Sequence, residues 1–319
     1  MKRYPSLLIA FGGNALIPRD RAHPHQKEEF LIARRSMEKV ADLVEQGYDR
    51  IILTHGNGPQ VGRIFLQQEL TRDEFPRQVT LDVCVADSQG RIGYILQNVF
   101  DSILSERSLA TRAFTIITQV VVDPADPAFN KPDKPIGVFY DKEEAKRLTT
   151  ERGWTLKEDA GRGFRRVVPS PRPLMIVEKQ IFHDILDLGF IAIGAGGGGI
   201  PVRRTTWGRL EGIEAVIDKD RTSALLASEI GIDTFVILTT VKGAFLNYQS
   251  KQPHLIRRAS VTEMQGWLND GHFLEGSMRP KVEAAVDFLA RGGQRAVIAH
   301  LDELDDAVEE NSGTQIYPG

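Results

Sequence analysis

The stretch Ile51-Ile52-Leu53-Thr54-His55-Gly56-Asn57-Gly58-Pro59-Gln60-Val61-Gly62 decides the fold. Its first four residues form an apolar, β-branched run that fits a buried strand. Glycines end the run, and Pro59 is placed for the first turn of a helix. Similar apolar runs lie at residues 7–11, 113–118, 190–194, 235–239 and 296–299. Between them the period changes. Phe30, Ala33, Met37, Val40, Ala41 and Val44 recur at three- and four-residue steps, as do Val282, Ala285, Val286 and Leu289 in the segment 280–291. Such spacing lines one face of a helix. Strands alternating with helices predict an α/β fold with a mostly parallel sheet covered on both faces.

Residues 123–173 break this alternation. Pro124, Pro127, Pro132 and Pro135 punctuate the start and Pro169, Pro171 and Pro173 the end. A charged helix candidate at 141–152 and the run Gly161-Arg162-Gly163-Phe164-Arg165-Arg166 lie between them. The segment reads as an insertion projecting from the sheet, either a lid or a plain surface excursion.

The 319 residues are 41% hydrophobic and 26% charged, with a net charge of -3. This balance gives no reason to expect nucleic acid or an anionic membrane as partner and points to a small molecule. Cys84, flanked by Val83 and Val85, is the only cysteine, so no intrachain disulfide forms and a buried thiol is expected. No run approaches the ~20 apolar residues of a membrane span, and a cytoplasmic location is expected.

Three strand candidates end in glycine turns: Gly12-Gly13-Asn14, Gly56-Asn57-Gly58 and Gly194-Ala195-Gly196-Gly197-Gly198-Gly199. Ligands of open α/β sheets bind beyond the carboxyl ends of the strands, where glycines let backbone N–H groups close on an anion. Three such turns in one chain predict an anion-binding floor. The third also satisfies G-x-G-x-x-G, but Pro201-Val202-Arg203-Arg204-Thr205-Thr206-Trp207-Gly208 reads as a polar loop or hairpin, not the helix a dinucleotide site needs. No glycine turn continues into Gly-Lys-Ser/Thr.

Phosphoryl transfer calls for positive charge around the moving group. Lys219, in Val216-Ile217-Asp218-Lys219-Asp220, stands where an apolar run meets a helix expected to begin near Arg221. Lys281 opens another helix after Gly276-Ser277-Met278-Arg279-Pro280, and Lys131 lies in the insertion. Taken alone, each such lysine is more often a solvated surface charge. Asp218 and Asp220 read either as helix caps or as groups that orient Lys219 and hold water around nucleotide-bound magnesium.

With these motifs in hand the chain resembles the carbamate kinases, a branch of the amino acid kinase family. The resemblance rests on Phe11-Gly12-Gly13-Asn14-Ala15-Leu16, His55-Gly56-Asn57-Gly58-Pro59-Gln60-Val61-Gly62, Lys134-Pro135-Ile136-Gly137 and Glu158-Asp159-Ala160-Gly161-Arg162-Gly163. It continues in Gly196-Gly197-Gly198-Gly199-Ile200-Pro201-Val202, Val216-Ile217-Asp218-Lys219-Asp220, Gly276-Ser277-Met278 and Gly313-Thr314. It implies an αβα sandwich with a small protruding subdomain at about 123–173, a carbamoyl-phosphate-binding lobe over 1–215 and a nucleotide-binding lobe over 216–319. Gly12, Gly13, Asn14, Gly56, Asn57, Gly58, Gly197 and Gly198 would hold the substrate. Lys131, Lys219 and Lys281, held by Asp218, would surround the transferred phosphoryl group. Thr239, Val241, Tyr248, Gly276, Ser277, Met278 and Asp220 would serve ATP or ADP with its Mg2+, no metal ligand being assigned directly. The resemblance further implies a homodimer and use in arginine or related nitrogen catabolism. Alternatives are a kinase of another small carboxylate, a non-catalytic sensor of carbamoyl phosphate or nucleotide, and, least of all, a dehydrogenase. Thr240, Lys242, Asp87 and Arg91 depart from the family pattern.

Overall fold

Every residue from Leu7 to Phe11 is buried. Leu7, Ile9 and Phe11 pack into one hydrophobic core and Leu8 and Ala10 into another. That alternation is the period of a strand covered on both faces. The computed structural model describes residues 4–12, 26–71, 73–75, 79–159, 161–248, 250 and 252–319. The expected substrate residues Gly13 and Asn14, with Ala15, Leu16 and Ala160 of the motifs, lie outside the described residues.

The chain opens with β1 (Leu7–Phe11), α1 (Gln26–Glu45), β2 (Ile51–His55), α2 (Gly58–Leu70) and α3 (Leu81–Glu106). Next come β3 (Ala113–Thr115) and β4 (Gln119–Val122), then the insertion with β5 (Lys134–Tyr140), α4 (Lys142–Arg152), β6 (Leu156–Glu158) and β7 (Phe164–Val168). It returns through β8 (Pro173–Ile176), α5 (Lys179–Asp187), β9 (Ile191–Ile193), β10 (Ile200–Arg204) and β11 (Leu210–Gly212). Then follow α6 (Lys219–Glu229), β12 (Thr234–Thr239), the short pair β13 (Phe245–Leu246) and β14 (His254–Leu255), and β15 (Arg258–Ser260). The chain closes with α7 (Val261–Asn269), α8 (Met278–Ala290), β16 (Arg295–His300), α9 (Leu304–Val308) and β17 (Thr314–Tyr317).

The main sheet has the order β15-β17-β16-β12-β1-β2-β9-β3. It is parallel from β16 to β3, and β17 runs antiparallel to β16. A second sheet, β11-β10-β4-β8, lies apart from it. The faces are covered as the periodicity predicts: Ala33, Met37, Val40 and Ala41 of α1 enter one core, Val282, Ala285, Val286 and Leu289 of α8 the other.

The insertion leaves from β4 and returns at β8, and these strands pair with Val122 opposite Pro173. Its helix α4 is capped by the Asp141 side chain, which accepts from Glu144 N at 2.8 Å. The arginine-rich run becomes β7, the middle strand of the antiparallel sheet β5-β7-β6.

The apolar run 113–118 does not stay one strand. Thr118 leaves the main sheet because Gln89 of α3 takes its backbone on both sides: Thr118 N donates to Gln89 Oε1 at 2.8 Å, and Gln89 Nε2 donates to Thr118 O at 3.1 Å. The chain then enters the second sheet as β4, beside β10. The 201–208 stretch is a β10–β11 hairpin, and no helix follows Gly199.

Candidate active site

The parallel strands β1, β2 and β9 are neighbours, so their carboxyl ends deliver Gly12 and the second and third glycine turns to one edge of the sheet. Gly56 N donates to Phe11 O at 3.2 Å and Gly194 N to Leu53 O at 2.9 Å. The second and third turns press together with no room for side chains. A Cβ on Gly197 would lie 2.0 Å from Asn57 Nδ2, and one on Gly196 would lie 2.4 Å from the His55 ring. The backbone at Gly197, with φ +65°, also favours glycine. The Asn57 amide is buried and donates to Ser88 Oγ at 2.8 Å, which fixes the turn.

Helix α6 is tied to the same floor. Thr222 Oγ1 donates to Gly198 O at 2.8 Å, and Thr54 Oγ1 and Ser223 Oγ share a hydrogen bond of 2.7 Å. The helix begins where the Asp218 side chain accepts from Asp220 N at 2.9 Å and Arg221 N at 3.2 Å. The capping role of Asp218 is therefore real, but it uses one oxygen only. The other accepts from Lys134 Nζ of β5 at 2.5 Å. Asp220 is divided in the same way: Oδ1 accepts from Lys219 and Oδ2 from Lys281 Nζ of α8, at 2.9 Å.

Three ammonium groups thus meet two carboxylates, leaving one net positive charge beside the glycine turns. Lys219 is 8% exposed and Asp220 3%. Burial opposes ionisation of Asp218, but Lys134, Lys219 and Lys281 outweigh it and hold the carboxyl well below the usual range. Asp220 is lowered by the same contest, won by Lys219 and Lys281. Burial lowers Lys219, and the like charge of Lys281 adds to that. Burial also works against Lys281, yet its ion pair with Asp220 raises it.

Among the lysines named from sequence, Lys219 and Lys281 are brought together and Lys131 is not. Lys131 is exposed and its side chain has no hydrogen bond or ion pair among the described residues. The insertion's contribution comes from Lys134, three residues further on, which sequence reasoning missed as a site residue although it opens the quoted Lys134-Pro135-Ile136-Gly137 motif. Burial, the main cause, together with the Lys219 charge lowers His55 to about 4, so its ring is neutral near pH 7. Burial, reinforced by nearby carboxylates, pushes the Cys84 thiol up to about 12, as befits an inert core residue.

A separate pocket lies beyond β12. Thr239, Val241, Tyr248, Ser277 and Met278 line it, together with Thr240, Phe245, His272, Phe273 and Leu274. Gly276 precedes the lining residues at φ +70°, and Asp220 belongs to the lysine cluster and not to this pocket. Met278 and Lys281, three apart at the start of α8, share a helix side and link pocket to cluster. Among the divergent positions, Thr240 borders the pocket, Lys242 is exposed, and Arg91 pairs with Glu29 at 2.8 Å. Among the described residues no group of three or more His, Cys, Asp or Glu is arranged to hold a metal.

A parallel sheet with glycine turns, a lysine–aspartate cluster and a pocket on the same helix defines a small-molecule phosphotransferase. The profile of the amino acid kinase family matches residues 6–300. The chain belongs to the amino acid kinase family and, within it, to the carbamate kinases. It is 44% identical to the carbamate kinase of Pyrococcus furiosus over 98% of this chain and 99% of that one. The solved carbamate kinase of Giardia lamblia bound to citric acid superposes with a TM-score of 0.93 at 38% identity, covering 99% of each chain. The same Giardia protein bound to AMP-PNP gives 0.89 at 37% identity, again over 99% of each.

Proposed function

We infer that the protein catalyses reversible phosphoryl transfer between ATP and carbamate, giving ADP and carbamoyl phosphate. The observation that carries the reading is the cluster of Lys134, Lys219 and Lys281 on Asp218 and Asp220, set against the Gly197-Gly198 turn. Its excess positive charge suits a transferred phosphoryl group, whose charge spreads over three oxygens in flight. We assign Gly12, Gly56, Asn57, Gly58, Gly197 and Gly198 to the substrate side, and the pocket of Thr239, Val241, Tyr248, Ser277 and Met278 to the nucleotide.

A carbamate oxygen forms a bond to the γ-phosphorus as the bond from that phosphorus to ADP breaks. Carbamate is already an anion, so no strong base is needed. Neutral, buried His55 fits that chemistry as a residue that shapes the turns. Magnesium bound to the nucleotide would supply charge neutralisation on its phosphates. All four carboxylate oxygens of Asp218 and Asp220 are taken by lysines or backbone N–H groups, so these residues fit a metal held through water and phosphate.

Carbamoyl phosphate differs from acetyl phosphate by an NH2 donor. Gln60, in the first turn of α2, offers an acceptor: its Oε1 is buried without a partner among the described residues. We also assign a homodimer through the face where Tyr94, Phe114 and Ile117 are 58%, 42% and 47% exposed, beside edge strand β3. The experiment is ATP formation from carbamoyl phosphate and magnesium-ADP, with acetyl phosphate as control donor. ATP from carbamoyl phosphate alone supports the reading. ATP from both donors defeats its specificity, and ATP from neither defeats it outright.

A further inference from the structure

Lys134 reaches Asp218 from the insertion, so something must hold the insertion at the right height. The contact runs along α2. Its start meets β5, where a Cβ on Gly58 would lie 3.9 Å from Pro135 O. One turn on, Gly62 and Gly137 touch backbone to backbone: a Cβ on Gly62 would lie 2.0 Å from Gly137 N.

Beyond that contact, Arg166 of β7 grips α2. Its guanidinium sits 4.4 Å from the ring centroid of Phe65 on α2 and 4.4 Å from that of Trp154 in the insertion. Arg166 Nη1 lies 3.5 Å from Glu69 Oε1, also on α2. One planar cation therefore stacks on a ring from each side of the junction and pairs with a carboxylate beneath. Neighbouring Arg165 points elsewhere and pairs within the insertion, with Asp159 at 3.1 Å.

The register carries this grip to the chemistry. Arg166 stands opposite Ile136 and Val168 opposite Lys134 in the β5–β7 ladder. Opposed residues, and residues two apart on a strand, share a sheet face. Arg166 and Lys134 thus project from the same face of the insertion, two rungs' worth of strand apart. We propose that Arg166 is a positioning residue for phosphoryl transfer: held by Phe65, Trp154 and Glu69, it seats the insertion on α2 so that Lys134 arrives at Asp218. The inference rests on the assignment of Lys134 made above.

The test is a double-mutant cycle on ATP formation from carbamoyl phosphate and magnesium-ADP. A misplacement near 1 Å can cost about a hundredfold, so Arg166→Leu should lower kcat by about 10- to 100-fold. KM for ADP should stay within about twofold, because the nucleotide pocket is untouched. In a Lys134→Ala background, Arg166→Leu should cost nothing further, since both act through one group. Glu69→Gln, a milder change that leaves both ring stacks and removes the ion pairs of Glu69 with Arg166 and Arg152, should give a smaller loss that also vanishes in that background. Arg166→Lys keeps charge without the planar stack and should restore part of the rate. Losses that multiply in the double variant, or an unchanged kcat in Arg166→Leu and Glu69→Gln while Lys134→Ala is slow, overturn the proposal alone. Full turnover in Lys134→Ala overturns the Lys134 assignment and this inference with it.

Discussion

Lys281 of α8 donates to Asp220 of α6 at 2.9 Å, while Lys219 holds the other oxygen of the same carboxylate. One aspartate thereby joins two helices and pairs with two ammonium groups at once. Asp220→Asn leaves those charges unpaired. Removing one partner of a buried ion pair costs about 3–5 kcal/mol, and a loss of that order is expected here. Urea unfolding of the variant checks it; a loss under about 1 kcal/mol would mean the cluster is solvated in solution.

The carboxyls of Asp218 and Asp220 ionise at lower pH in the fold than in the unfolded chain. Unfolded aspartates titrate near ~3.9, so their contribution to stability is fully present above that value. As pH falls below it the unfolded state binds the extra protons and stability drops. The Tm should therefore fall between pH 5 and pH 3, by less in Asp218→Asn. On the alkaline side, lowered Lys219 should make kcat/KM for carbamoyl phosphate fall with a midpoint below the ~10.4 of an ordinary lysine. With His55 at about 4, its ring should contribute no inflection between pH 6 and 8.

Gln60→Leu should raise KM for carbamoyl phosphate about tenfold and leave KM for ADP unchanged. The preference over acetyl phosphate should shrink by a similar factor. A ratio of the two donors equal to that of the unaltered protein would show that Gln60 does not read the amide.

The pocket we assign to the nucleotide is lined by Val241 and Met278 and shares no lining residue with the glycine turns. Val241→Trp should fill it, raising KM for ADP by about tenfold or more with little change in KM for carbamoyl phosphate. Equal increases in both would mean that the two ligands do not occupy separate sites.

Much of this site is local in the chain and so could be read from it. A glycine turn sits directly after its strand, and Lys219 and Lys281 each lie in the first turn of a helix, so residue order alone places them. The insertion is bounded by its own prolines. The choice between Lys131 and Lys134 is not local. Both lie in Lys131-Pro132-Asp133-Lys134-Pro135, and the one that faces the cluster is set by pairing of residue 134 with residue 168 across the insertion. The Arg166 grip on α2 depends on the same long-range register. The break at Thr118 was hidden for a related reason, since the competing hydrogen bonds come from Gln89 on α3.

The most direct test of the account compares turnover of carbamoyl phosphate with magnesium-ADP in the unaltered protein, Lys134→Ala and Lys131→Ala. The unaltered protein should make ATP. Lys134→Ala should lose about 10²- to 10³-fold in kcat, the scale of one preorganised charge at a transition state, and Lys131→Ala less than about threefold. Equal losses in the two variants, or a loss confined to Lys131→Ala, would contradict the central claim that Lys134 completes the phosphoryl site.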